Sequence, residues 1–152
     1  MTYEELLKEA DSIGLIVKEK PLQSGDGRIF KNRIAIRRNI PTQKEKSCVL
    51  AEELGHHYTT AGNILDQSSI SNRRQENIAR TWAYNKMIGL TGIIRSYEHG
   101  CRSKHEISEY LGVTEEFLDN AIERYRQKYG EFVPVGNYVI RFEPVLLVNK
   151  VG

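Results

Sequence analysis

Apolar residues recur along the chain at two periods, and the alternation between them predicts an α+β order of elements. Leu6, Leu7 and Ala10 fall on one side of a helix over residues 3–12, which Gly14 ends. Leu15, Ile16 and Val17 read as a short strand. Gly25, Asp26 and Gly27 read as a turn, since glycine tolerates the positive φ that turns require. The runs at residues 28–31 and 33–37 read as a hairpin joined near Asn32. Thr42 with Glu45 three residues later forms a capping box that satisfies two orphan N–H groups and opens a helix running to about Thr60. Val49, Leu50 and Leu54 are its apolar side, and Gly62 and Asn63 are its expected terminators. After a polar connection at residues 66–69, residues 71–88 predict a further helix with the stripe Ile78, Ala79, Trp82, Ala83 and Met87.

Beyond Gly89 the elements shorten. One helix is expected at residues 91–99. A second, over 104–111, opens on the capping pair Ser103 and Glu106, and a third is capped by Thr114 and runs to Tyr129 before Gly130. The middle of this region resembles a helix-turn-helix, with Gly112 at the turn and Ile107, Leu111, Val113, Phe117 and Ile122 as core positions. Residues 138–142 and 145–148 add a strand or hairpin. The expected organisation is a core over residues 1–89 and a helical region with a C-terminal β segment over 90–152, packed as one unit with the core.

Composition narrows the function classes. With 152 residues, 22 Lys and Arg against 20 Asp and Glu and a net charge of +2, the chain is long enough for a real core and shows no overall bias toward a polyanion partner. Two cysteines, Cys48 and Cys101, read as ordinary thiols. The acidic start and the absence of a long apolar run lead to the expectation of a soluble, cytoplasmic protein with no membrane partner.

The chemistry concentrates in residues 51–60, AEELGHHYTT. Residues four apart on a helix share a face, about 5–6 Å between Cβ atoms, so Glu52 and His56 point the same way and Glu53 stands one step round. In the H-E-x-x-H helix the outer pair holds zinc and the inner Glu is the general base. Glu52 replaces the first His here, and carboxylate oxygen remains a zinc ligand at about 2.0–2.2 Å. The shifted register of Glu53 with His57 puts Leu54 where the base belongs, while His56 and His57 diverge by about 100°. A third ligand has to come from elsewhere. Glu76, beside the apolar stripe of the next helix, is a carboxylate that has to be paired, hydrated or bound. The alternatives are a charged, solvated helix face for Glu52, Glu53 and His56, and an ordinary ion pair of Glu76 with Arg73 or Arg80. His57 reads as a supporting or capping group at the helix end. His99, Cys101 and His105 fit no zinc spacing and are given no function, and a cysteine inside a helical junction reads as packing.

The E-L-G-H-H core at Glu53–His57, followed by a helix carrying Glu76 and then Ala79 three residues on, resembles the ImmA/IrrE-like metallopeptidases of phages and integrated mobile elements. The resemblance covers residues 1 to about 88. It implies a zincin-like core of helix, small sheet and two active-site helices, with Zn2+ held by Glu52, His56 and Glu76, and Glu53 as catalytic base. In such cores the substrate adds as a strand along a sheet edge, for which residues 33–37 are the expected edge. The implied partner is a helix-turn-helix phage repressor, cut or disabled. The alternatives are a noncatalytic repressor-binding protein and a helix-turn-helix DNA-binding regulator. Direct DNA binding is disfavoured, because Glu115, Glu116 and Asp119 occupy the end of the last helix that would face phosphates.

Overall fold

The computed structural model describes residues 1–60 and 69–152, the side chains of 69–71 excepted. The terminators expected at Gly62 and Asn63 therefore lie outside the described residues, as does most of the polar connection. The fold is mixed α+β, and the chain divides into two compact units, Met1–Ala83 and Tyr84–Gly152, with the division inside a helix.

In the first unit, α1 (Tyr3–Ser12) leads to β1 (Ile16–Lys20), β2 (Gly27–Phe30), β3 (Arg33–Arg37), α2 (Gln43–Thr59) and the first part of α3 (Ser69–Met87). α1 opens on a full capping box, Thr2 with Glu5, and buries Tyr3, Leu6 and Ala10. α2 opens on the expected one, Thr42 with Glu45. Both helices start where the sequence supplies partners for their orphan N–H groups. The sheet order is β1-β3-β2, with β1 parallel and β2 antiparallel to β3. Ile34 and Ile36 of β3 are buried on one face, 2% and 0% exposed, and α2 packs against α1, β2 and β3. Glu19 ties three elements together, accepting from the Tyr3 hydroxyl at 3.2 Å and pairing with the Lys46 ammonium at 3.0 Å. The Lys46 hydrogen bond holds the Glu19 carboxyl below its ordinary range. Burial, followed by the Glu19 charge, pushes the Tyr3 hydroxyl up to about 12.

The edge expected at residues 33–37 is corrected by this topology: β3 is the central strand, and the edges are β1 and β2. The alternation of RIAIR reads the same at an edge or a centre. The parallel β1–β3 pair depends on a crossover through the link before β2, which no local pattern reveals.

The second unit holds the end of α3 with α4 (Gly89–His99), α5 (Lys104–Leu111), α6 (Glu115–Tyr129) and the antiparallel sheet β4 (Phe132–Val135), β5 (Tyr138–Arg141), β6 (Leu147–Lys150). Gly112, at φ +71°, closes α5 in the left-handed conformation that glycine adopts without steric cost. Ile107, Val113 and Phe117 are buried as expected, joined by Leu118, Ala121 and Tyr125, while Leu111 and Ile122, also expected in the core, are only half-buried. The sequence reading does not include β4, which contains Pro134. The proline is tolerated here because β4 is an edge.

Tyr125 solves a local problem in this unit. Ile88 offers α4 no side-chain cap, and the first amide of the helix, Gly89, instead donates to the Tyr125 hydroxyl at 3.2 Å. That hydroxyl in turn donates to Asn85 Oδ1 at 3.0 Å. Tyr125 is 2% exposed. Tyr125→Phe is expected to leave the Gly89 amide unpaired and to cost about 1–3 kcal/mol in urea unfolding. A midpoint equal to that of the unmodified chain would remove this capping role.

Candidate active site

Leu50, Ala51 and Leu54 of α2 are fully buried, and Glu53 goes with them at 7% exposure. A solvated face for Glu53 is thereby excluded: the carboxyl lies in the core layer between α2 and the sheet. Gly27, at the start of β2, shows how close the approach is. A Cβ on Gly27 would stand 3.0 Å from Glu53 Cγ, 3.2 Å from its Cδ and 2.8 Å from Val49 Cγ1. The sequence reading gave Gly27 a turn role. Its actual requirement is space, because the strand passes directly against the Glu53 carboxyl.

Burial has an electrostatic consequence. Loss of solvation pushes the Glu53 carboxyl from 4.5 up to about 7, and the neighbouring charges of Glu52 and Glu76 push in the same direction. Its Oε2 is buried without a hydrogen-bond partner. An unpartnered buried carboxyl oxygen carries a desolvation cost, and strongly perturbed acids of this kind concentrate at functional sites.

One turn further along α2, His56 meets α3. Its Nε2 lies 3.1 Å from Glu76 Oε2, and the other Glu76 oxygen is 3.6 Å from Arg80 Nε. Glu76 thus makes the expected ion pair with Arg80 on its own helix and also reaches the histidine of α2. The helices come this close because of Gly55. A Cβ there would fall 2.3 Å from the main-chain oxygen of Ala79, so the small residue in E-L-G-H-H sets the α2–α3 separation. A glycine in a helix interior costs about 1 kcal/mol relative to alanine, which was the available signal that Gly55 has a packing reason.

Around a tetrahedral zinc with bonds of about 2.0–2.1 Å, adjacent donor atoms stand about 3.3 Å apart. The His56–Glu76 separation is within a few tenths of an ångström of that, and nitrogen with carboxylate oxygen is a donor set zinc accepts. Glu52 lies one turn before His56 and is half-buried. Among the described residues, however, no group of three or more His, Cys, Asp and Glu side chains is gathered into a metal-holding cluster. The structure brings His56 and Glu76 together beside Glu53, and does not gather Glu52 with them as a third donor.

Other polar candidates have settled partners. His57 is exposed with its ring edge against Tyr58, and Tyr58 stacks on Trp82 at 4.9 Å. Tyr84 is buried with its ring against Phe117. Cys101 is a buried free thiol whose Sγ lies 3.5 Å from the Glu106 carbonyl oxygen, in keeping with its packing role, and His99 packs on Tyr110.

Among the described residues no helix is long and apolar enough to cross a membrane. Comparison with curated proteins and comparison with solved structures each give no match. A peptidase family model, described as the IrrE N-terminal-like domain, matches residues 10–123, which take in α2, Glu53, His56 and Glu76. That span is well over half of the 152 residues, and the chain belongs to this ImmA/IrrE peptidase family.

Proposed function

We propose that the chain is a zinc-dependent endopeptidase in which Glu53 is the catalytic base and Glu52, His56 and Glu76 hold the metal, on a zincin-like core. The observation that carries the reading is the Glu53 carboxyl, buried, raised to about 7 and lacking a partner on one oxygen, beside the His56–Glu76 contact. Zinc, when bound, supplies a Lewis acid that polarises a peptide carbonyl and makes water more acidic. Glu53 accepts the proton of the attacking water and returns it to the leaving nitrogen, a role worth typically about 10² to 10⁴ in rate. A carboxyl titrating near neutrality suits that exchange, because it binds and releases a proton at little cost at the working pH. The free edge of β2, which begins against Glu53 at Gly27, is the place for an extended substrate segment.

The substrate in this reading is a helix-turn-helix repressor of a phage or mobile element, cut or inactivated in the cytoplasm. The helix pair α5 and α6 about Gly112, read as helix-turn-helix-like, is the docking element. A second reading, a noncatalytic protein that binds its repressor without cutting it, is favoured by two observations: Glu52 stands where the resembled motif has His, and no three-donor group is gathered among the described residues. The exposed Glu115 and Glu116 at the start of α6 oppose a third reading, duplex DNA binding by that helix.

Elemental analysis separates the first two readings. Stoichiometric zinc is expected in the purified chain and in Glu53→Gln, with strong loss in His56→Ala. Equal metal content in the chain and in His56→Ala would sink the assignment of the site. Zinc held normally with no hydrolysis of a co-encoded repressor would move the conclusion to the noncatalytic reading.

A further inference from the structure

The net charge of +2 hides a strong segregation. Side chains alternate across a strand, so the face of the first unit's sheet opposite Ile34 and Ile36 carries Ile16, Lys18 and Lys20 of β1, Arg33, Ala35 and Arg37 of β3, and Arg28 and Phe30 of β2. The register places Ala35 between Lys18 and Arg28, and Arg33 between Ile16 and Phe30. Because Ala35 is short and its neighbours are long, a shallow hollow of about 210 Å³ forms over it. Phe30 is 72% exposed and Ile16 44%, and the Lys31 ammonium stands 5.5 Å from the Phe30 ring centre.

Among the described residues, carboxylates offset only one of these cations, Arg37. Glu19 alternates to the other face, where it serves Lys46 and Tyr3. Asp26 pairs with Arg37 at 3.1 Å, and Arg28 donates to the Ser24 hydroxyl at 2.9 Å. Lys18, Lys20 and Arg33 have no carboxylate partner among the described residues.

We propose that this sheet face binds single-stranded nucleic acid. A ring exposed beside a flat apolar floor offers a base its π-face, and unpaired cations around the rim meet the phosphates on either side. That combination of stacking platform and electrostatic groove is what sequence-tolerant binding of single strands requires. Charge complementarity alone would also admit an acidic peptide, but the geometry favours a nucleotide chain. An extended peptide docks on a sheet edge, where its main-chain N–H and C=O groups find partners. On a sheet face they find none, and a sugar-phosphate backbone has no such need. A duplex is also disfavoured, because its base faces are already stacked. The inference uses none of the residues given a metal or base role, although Arg28 and Phe30 belong to β2, whose edge the peptidase reading gives to substrate.

Fluorescence anisotropy with a labelled oligothymidylate tests it, with a duplex of equal length and poly-glutamate as competitors. Binding that weakens with salt, and that unlabelled oligothymidylate displaces far better than either competitor, is the expected result. Phe30→Ala is expected to weaken it about tenfold through lost stacking. Lys20→Glu with Arg33→Glu is expected to lower the slope of log affinity against log salt by about 1.4, from about 0.7 per phosphate contact. All three side chains are exposed, so thermal melting should stay unchanged, and Lys128→Glu on α6 should leave the affinity unchanged. No binding at 50 mM salt, an unaltered affinity in Phe30→Ala, or equal displacement by poly-glutamate would each overturn the proposal, the last in favour of an acidic protein segment.

Discussion

Glu53→Gln is expected to make the chelator-treated protein more stable above pH 7 by about 3 kcal/mol, and to lower peptide hydrolysis by the zinc-loaded protein by about 10² to 10⁴. Burial raises this carboxyl from 4.5 to about 7, so the folded chain holds the proton more tightly than the unfolded chain. Below pH 4.5 both states are protonated and the group costs nothing through its charge. Between 4.5 and 7 the unfolded chain has already ionised while the folded one has not, and stability declines as pH rises. Above 7 the folded state carries a buried anion facing Glu52 and Glu76, and the loss is complete. At about 1.4 kcal/mol per pH unit the shift amounts to about 3 kcal/mol. Gln cannot ionise and nearly preserves the shape, so urea midpoints of the two proteins should be close at pH 4 and well separated at pH 8. A constant difference at both pH values would remove the electrostatic argument, since a packing effect does not titrate. The destabilisation and the proposed role as base would share one cause: a core position that makes a carboxyl a good proton acceptor near neutrality also makes its anion costly to bury.

How much of this was legible in advance differs by residue. The capping residues Thr2, Thr42, Ser103 and Thr114 act through neighbours three positions away, and the helices they open start where the local pattern placed them. Helical phase sets Glu53 about 60° round from His56, three residues at 100° each, but that the one meets the sheet and the other the next helix comes from the packing. The elements that escaped depend on distant partners. Ile78, counted in the apolar stripe of α3, is 44% exposed, while Ala79 and Ala83 are fully buried. Spacing gives the stripe, but which edge of it meets another element is a tertiary matter. The alternating charges of Lys18, Glu19 and Lys20 extend β1 beyond the apolar run LIV, and only the pairing with β3 shows it. Likewise the cationic sheet face cannot be read from net charge, because its residues come from three strands whose order is not the order of the sequence. Within the site, periodicity likewise puts Glu52 on the face of His56, but gathering donors is a matter of distance, and among the described residues Glu52 is not gathered with His56 and Glu76.

Gly55→Ala is expected to destabilise the first unit by about 2 kcal/mol or more and to separate His56 from Glu76. The added Cβ would lie 2.3 Å from the Ala79 oxygen, 3.0 Å from its carbonyl carbon and 3.3 Å from its Cα. All three are main-chain atoms of α3, which no rotamer change can move aside. Relief needs the helices to part by roughly an ångström, and forcing extra volume into a packed core costs typically about 1–3 kcal/mol. Alanine's better helix propensity returns about 1 kcal/mol of this at most. Glu76 is three residues before Ala79 on α3, so the same displacement lengthens its 3.1 Å contact with His56. A second substitution separates main-chain collision from ordinary crowding. Ala79→Gly removes a side chain but leaves the offending oxygen, so it should fail to rescue Gly55→Ala, whereas crowding by the Ala79 methyl group would be relieved. Rescue by Ala79→Gly, or a Gly55→Ala protein with unchanged urea midpoint and unchanged zinc content, would show that the two helices do not approach through this glycine, and the geometry joining His56 to Glu76 would need another basis.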